Sequence, residues 1–248
     1  SNQLSDELIS TNNDLNKLRQ IDSLKLLDAA EKIYGFHGYY SVIDNYSIFE
    51  PIYKSFENGN FHHVDLIIGT NADEELMYLD NDYYLSNFYD ERESWGFYKD
   101  IKEINVLIDD IKEERQKINY LLTARNWTCP SSYIAESINK HTSKNVWFYS
   151  FDRIRDGLKS KEMGAYHGAE LPYVFNTHDK WLPTSSKDLY ITEIIQDYWI
   201  NFIKEGNPNS NNNLWEPFQA DKFNVLSFND VISMQKSKSA DVCEVLGY

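Results

Sequence analysis

Gly164-Ala165-Tyr166-His167-Gly168-Ala169-Glu170-Leu171-Pro172-Tyr173-Val174-Phe175 sets one histidine between glycines and just ahead of an apolar run. That placement presents an imidazole on a loop, where it can exchange a proton with a reacting group. Such an imidazole needs a carboxylate to orient it and a nucleophile to act on. A candidate carboxylate stands upstream in Asp65-Leu66-Ile67-Ile68-Gly69-Thr70-Asn71-Ala72-Asp73-Glu74-Glu75, where an apolar strand runs out into a polar loop rich in acids. Composition alone does not choose among Asp73, Glu74 and Glu75.

Val64 to Ile68 is a short apolar run bounded by polar loops, and Asn145-Val146-Trp147-Phe148-Tyr149-Ser150-Phe151 is β-branched and aromatic, so both read as buried strands. Apolar residues three and four apart predict helices at Asp14 to Gln20 and Ser23 to Ile33, the second stopped by Gly35. Further helices are expected at Glu113 to Leu122, Ser132 to His141 and Ile191 to Lys204, with a last strand at Phe223 to Phe228. Asn207 to Asn213, polar and containing a proline, reads as a turn. Strands alternating with helices give an α/β chain whose mainly parallel sheet is covered on both faces.

The two loops, in this order, resemble the type-B carboxylesterase and cholinesterase family of the α/β-hydrolases. Its members carry an Ile/Leu-Gly-x-Asn-x-Asp-Glu segment for a catalytic acid and a Gly-x-x-His-Gly-x-Glu segment for a catalytic histidine. Val42-Ile43-Asp44 with Asn45, Asn58-Gly59-Asn60-Phe61, Trp127-Thr128-Cys129-Pro130-Ser131 and Tyr198-Trp199-Ile200-Asn201-Phe202 through Gly206-Asn207-Pro208-Asn209 extend the likeness from about Asp14 to Cys243. The resemblance implies that Glu74 is the acid, His167 the base and Glu170 a carboxylate behind them. It implies too that Cys129 and Cys243 pair, the alternative being two reduced, buried thiols. Met77 and Tyr78 fall on the stretch that lines the acyl or choline site in relatives, or else they are core. The chain departs from the pattern at Glu75, where members usually have glycine, and at Ala124, where many have aspartate.

A complete member is roughly twice this length, and its nucleophile sits in a Gly-x-Ser-x-Gly elbow. No serine of the 248 residues has that setting; Ser10, Ser23, Ser131, Ser185 and Ser210 all lack the flanking glycines. Residues 1–248 are therefore read as the C-terminal half of an α/β-hydrolase. The serine and oxyanion hole are expected on an N-terminal half, a second polypeptide that would also cover the strand edge left open by the division. The substrate implied is a small-molecule ester.

Composition bounds the rest. With 42% hydrophobic and 15% aromatic residues, the chain can bury a substantial core, and one compact unit is expected. No apolar run approaches the ~20 residues of a spanning helix, and Ser1 to Asp6 has no signal-peptide character, so any secretion signal would precede the missing half. A net charge of −15 argues against nucleic acid and anionic membrane as partners. It serves solubility, or draws cationic substrates if the acids line an entrance. Two cysteines together with the sequons Asn45-Tyr46-Ser47 and Asn126-Trp127-Thr128 favour a secreted or secretory-pathway protein glycosylated at Asn45 and Asn126.

No metal or other cofactor is expected. His62 and His63 are adjacent and point apart if on a strand, while His37, His141 and His178 lack suitably spaced acid or Cys partners. Three readings compete: an ester hydrolase assembled from two polypeptides, a cholinesterase-like adhesion or binding module without catalysis, and a fragment with no function of its own.

Overall fold

The computed structural model describes residues 7–8, 14–35, 41–178, 180–210 and 214–248. Ser1 to Asp6, Ser10, His37 and Asn211 to Asn213, each named above, lie outside them. The chain divides into two compact units, Ser1–Lys54 and Ser55–Tyr248, where the sequence reading expects one. The first unit buries only Ala29 and Ala30 among its described apolar residues, so it contributes little core.

In the first unit, α1 (Leu15–Leu18) starts at Asp14, whose Oδ1 accepts the Asn16 and Lys17 N–H groups. Asp22 caps α2 (Ser23–Tyr34) in the same way through Leu24 and Lys25. Both short carboxylates satisfy amide groups that the first helical turn leaves unpaired. Gly35, at φ 69°, ends α2.

The elements that follow are α3 (Ile52–Asn58), β1 (Leu66–Asn71), a 3₁₀ turn (Leu76–Tyr78), α4 (Leu85–Glu91), α5 (Ile101–Ile108) and α6 (Glu114–Thr123). A π-helical turn (Ala124–Thr128) leads directly into α7 (Cys129–His141). Then come β2 (Val146–Phe151), α8 (Leu158–Met163), α9 (Leu171–Phe175), α10 (Ser186–Glu205), β3 (Asn224–Phe228), β4 (Ser233–Lys236) and α11 (Ala240–Leu246). The strands lie in the order β1-β2-β3-β4; the first three are parallel and β4 is antiparallel to β3.

β2 is the centre of the sheet, and its alternation divides the core. Trp147 and Phe151 pack with Ile191, Ile195 and Tyr198 of α10 on one face. Val146 and Phe148 pack with Ala135 and Ile138 of α7 on the other. Because both faces are buried, the strand reads as a continuous apolar run rather than an alternating one. A third cluster gathers Phe88, Ile104, Ile108, Ile118 and Leu121 around Cys129 and Cys243, which form a disulfide joining α7 to α11.

β1 begins two residues later than its apolar pattern suggests and extends through Gly69, Thr70 and Asn71. Pairing with β2 runs from Leu66 opposite Val146 to Asn71 opposite Phe151, and this ladder decides the boundary. Gly69 is required there, since a Cβ would stand 2.3 Å from the Tyr149 ring. His62 and His63 precede β1 outside any strand.

Candidate active site

Parallel sheets place their functional groups beyond the carboxyl ends of the strands, and the two quoted loops meet there, the second reached from β2 by way of α8. The first follows β1. Its Asn71 N–H donates to Glu74 Oε1 at 2.7 Å, folding the acid back over the strand end. The Asn71 side-chain amide donates to the Tyr166 carbonyl at 2.8 Å and to Glu170 Oε2 at 2.5 Å, so one asparagine joins the two loops.

Asp73 makes the second tie. Its N–H donates to the Ala165 carbonyl at 3.1 Å, while its carboxylate accepts the Ala165 N–H at 2.8 Å and the Asn119 amide at 2.8 Å. Burial pushes the Asp73 carboxyl up, against the pull of those two donors. Gly164 lets the loops come this close: at φ +65°, a Cβ there would lie 2.2 Å from Asp73 Oδ2.

The outcome is a contact of 2.7 Å between His167 Nδ1 and Glu74 Oε2. The Glu74 side chain is 6% exposed and the imidazole 41% exposed. Burial pushes the Glu74 carboxyl above its ordinary range; the Asn71 N–H and His167 pull it down, and the charge of Glu170 adds to the rise. A carboxylate can only accept, so the arrangement puts the proton on Nδ1 and leaves the Nε2 lone pair available. The Trp127 ring lies 4.6 Å from the imidazole at 39°, and the Tyr78 ring lies 6.1 Å away.

Of the residues singled out from sequence, Glu74 and His167 meet directly, and Glu170 joins them through Asn71. Tyr78 is exposed beside the imidazole and Met77 is exposed on the same turn. Neither is core. Asn45 is exposed at φ 56°. Asn126 is part-buried, and its amide donates to Glu75 Oε1 at 2.8 Å from within the π-helical turn. Sequence reasoning misses Asn71 and Asp73 as ties between loops, although both lie within the acid segment it quotes. It also misses Trp127, whose approach to His167 depends on a π-helical turn that leaves no periodic signal.

A pocket at the strand ends is lined by Thr70, Asn71, Thr123, Thr128, Ser150 and Asp152, but not by Glu74 or His167. The imidazole thus stands on an open surface rather than inside that pocket. Among the described residues, no group of three or more His, Cys, Asp or Glu side chains is arranged to hold a metal ion.

Residues 3–246 match the model of the carboxylesterase family. Acetylcholinesterase 1 of Caenorhabditis briggsae is 23% identical over 203 residues, 68% of this chain and 32% of that protein. The crystal protein of Dictyostelium discoideum is 27% identical over 207 residues, 78% of this chain and 36% of that one. Human neuroligin-3 is 26% identical over 181 residues, 62% of this chain and 21% of that protein. The chain therefore spans about a third or less of these relatives. In structure it resembles a carboxylesterase of Geobacillus stearothermophilus with a TM-score of 0.78 at 18% identity, covering 98% of this chain and 53% of the other. A PNB esterase gives 0.75 at 19% identity, covering 99% and 53%. The fold is that of the α/β-hydrolase carboxylesterases.

Proposed function

The chain belongs to the carboxylesterase family, and from that premise we propose that it supplies the acid and the base of a serine ester hydrolase. Glu74 is the acid and His167 the base. The serine and the oxyanion donors come from the nucleophile-bearing half of the hydrolase, which these 248 residues do not include. Nε2 of His167 takes the serine proton as the serine oxygen attacks the ester carbonyl. The imidazolium, held by Glu74, returns that proton to the departing alcohol. Water then repeats the sequence on the acyl-enzyme and releases the acid.

The observation that carries this reading is the 2.7 Å contact between a buried carboxylate and a half-exposed imidazole. The 248 residues contain no Gly-x-Ser-x-Gly, so the serine that His167 would serve is not among them. Among the described residues, β1 is an outer strand of the sheet. The exposed Tyr78 and Met77 would meet the ester's apolar part. The Cys129–Cys243 disulfide and the exposed sequon at Asn45 favour an oxidising, secretory compartment. Among the described residues, no helix is long and apolar enough to cross a membrane.

A second reading is a cholinesterase-like adhesion or binding module that performs no chemistry. The intact Glu74–His167 pair stands against it. Treating natively purified material with a fluorophosphonate and weighing its denatured polypeptides separates the two readings. An esterase gives a polypeptide carrying one adduct; a binding module leaves every chain unlabelled. His167→Ala in the complete assembly should abolish ester turnover while association persists, and turnover retained by that variant would overturn the assignment.

A further inference from the structure

Glu74 and Glu75 are consecutive, and they hold different parts of the same neighbourhood. Glu74 takes the Nδ1 edge of His167. One hydrogen bond fixes one vertex of a ring, and this ring is half-exposed on a loop between Gly164 at φ +65° and Gly168 at φ +87°. The ring can still rock about that vertex unless a face is covered as well.

Trp127 covers a face, at 4.6 Å between ring centroids. Its indole is held in turn by Nε1–H donating to Glu75 Oε1 at 2.7 Å. The same oxygen accepts the Asn126 amide at 2.8 Å. Consecutive side chains on a helix point in different directions, yet these two converge on one acceptor. They do so from the π-helical turn Ala124–Thr128, a distortion of a kind found frequently at functional sites. Asn126 is steadied from behind, because Arg125 Nη1 donates to its Oδ1 at 2.5 Å and Arg125 Nε donates to the Trp95 carbonyl at 2.9 Å. The Glu75 N–H donates to Thr123 Oγ1 at 3.3 Å, which anchors the glutamate's own backbone.

We propose that Glu75 is a positioning residue that acts through Trp127, fixing the face of the His167 imidazole as Glu74 fixes its edge. This rests on the reading of His167 as the base. With edge and face both fixed, Nε2 keeps one direction toward the serine proton, and the ring need not be ordered again in each turnover.

The test uses NMR of the full chain. Wild-type protein should show cross-peaks between the Trp127 and His167 rings and a protected Trp127 indole N–H. Glu75→Ala should lose those cross-peaks and speed indole exchange by about tenfold. Glu75→Gln should restore both, because its amide oxygen still accepts. If Glu75→Ala does not fold, judged by far-ultraviolet circular dichroism, Trp127→Phe keeps a ring but lacks the donor and should show weakened ring cross-peaks. In the complete assembly, Glu75→Ala should lower kcat about tenfold with KM nearly unchanged, with recovery in Glu75→Gln. Wild-type cross-peaks in Glu75→Ala or in Trp127→Phe, or a Glu75→Gln as disturbed as Glu75→Ala, would overturn the proposal. The NMR readout needs no turnover. Turnover retained by His167→Ala would therefore remove the esterase reading while the ring contacts were judged separately.

Discussion

Asp73 and Gly164 show how little room the site allows at the scale of single residues. The carboxylate accepts from Ala165 on one loop and from Asn119 on α6, so it cannot swing aside to admit another atom. A methyl group at Gly164 would press on that oxygen at 2.2 Å, and the backbone there is left-handed at φ +65°. Gly164→Ala is therefore expected to destabilise the chain by about 1–3 kcal/mol from backbone strain alone, with the clash adding to it. Urea denaturation would measure the loss. The NMR signals of His167 should broaden or divide in the same variant, because its loop is the part that must give way.

At the scale of elements, the start of α10 carries a buried electrostatic network. Ser185 and Asp188 form a capping box, and the fully buried Asp188 also accepts from Arg153 Nε at 2.8 Å and from the Tyr173 hydroxyl at 2.7 Å. Burial opposes ionisation, but Arg153, Ser185 and Tyr173 outweigh it and hold the Asp188 carboxyl well below its ordinary 3.8. A depressed carboxyl stabilises the fold above its unfolded value and loses that contribution as pH falls from there through the folded value. Asp188→Asn should cost about 1.5–3 kcal/mol near neutrality, since Arg153 loses its buried partner and keeps only the exposed Asp230 and Asp156. It should also flatten the loss of stability below pH 3.8, which urea titrations at several pH values would show. Elements with strong patterns were legible from sequence: β2, β3, α6 and the body of α10 fall within a few residues of their periodic runs. β4 was not, because Ser233-Met234-Gln235-Lys236 is short, mostly polar and at the sheet edge, where no burial imposes alternation. The π-helical turn stayed hidden for a related reason: its residues look helical, and only tertiary contacts stretch the turn.

For the whole molecule, the disulfide is the longest-range covalent tie, with Cys129 and Cys243 separated by 114 residues. The chain-entropy account gives a closed loop of this size about 5 kcal/mol. Reduction, or a Cys243→Ser variant, should lower the urea midpoint accordingly. The ring contacts of His167 should survive under native conditions, because the bond lies among α6, α7 and α11 rather than at the imidazole. Legibility at this scale was uneven. The Glu74–His167 pairing could be read only by likening two whole segments to a family, since their separation in sequence carries no geometry. The division into two units was invisible to composition, which counts apolar residues without saying where they are buried. The parallel register has a consequence in time. Asp65 receives the Asn145 N–H across 80 residues, and Glu74 meets His167 across 93. A growing chain has therefore released Glu74 long before His167 exists. Neighbours cannot join early in such a topology, and the approach of distant strands is slow. The carboxylate–imidazole contact thus depends on the β1–β2 register, and observing it reports that two segments 93 residues apart have met.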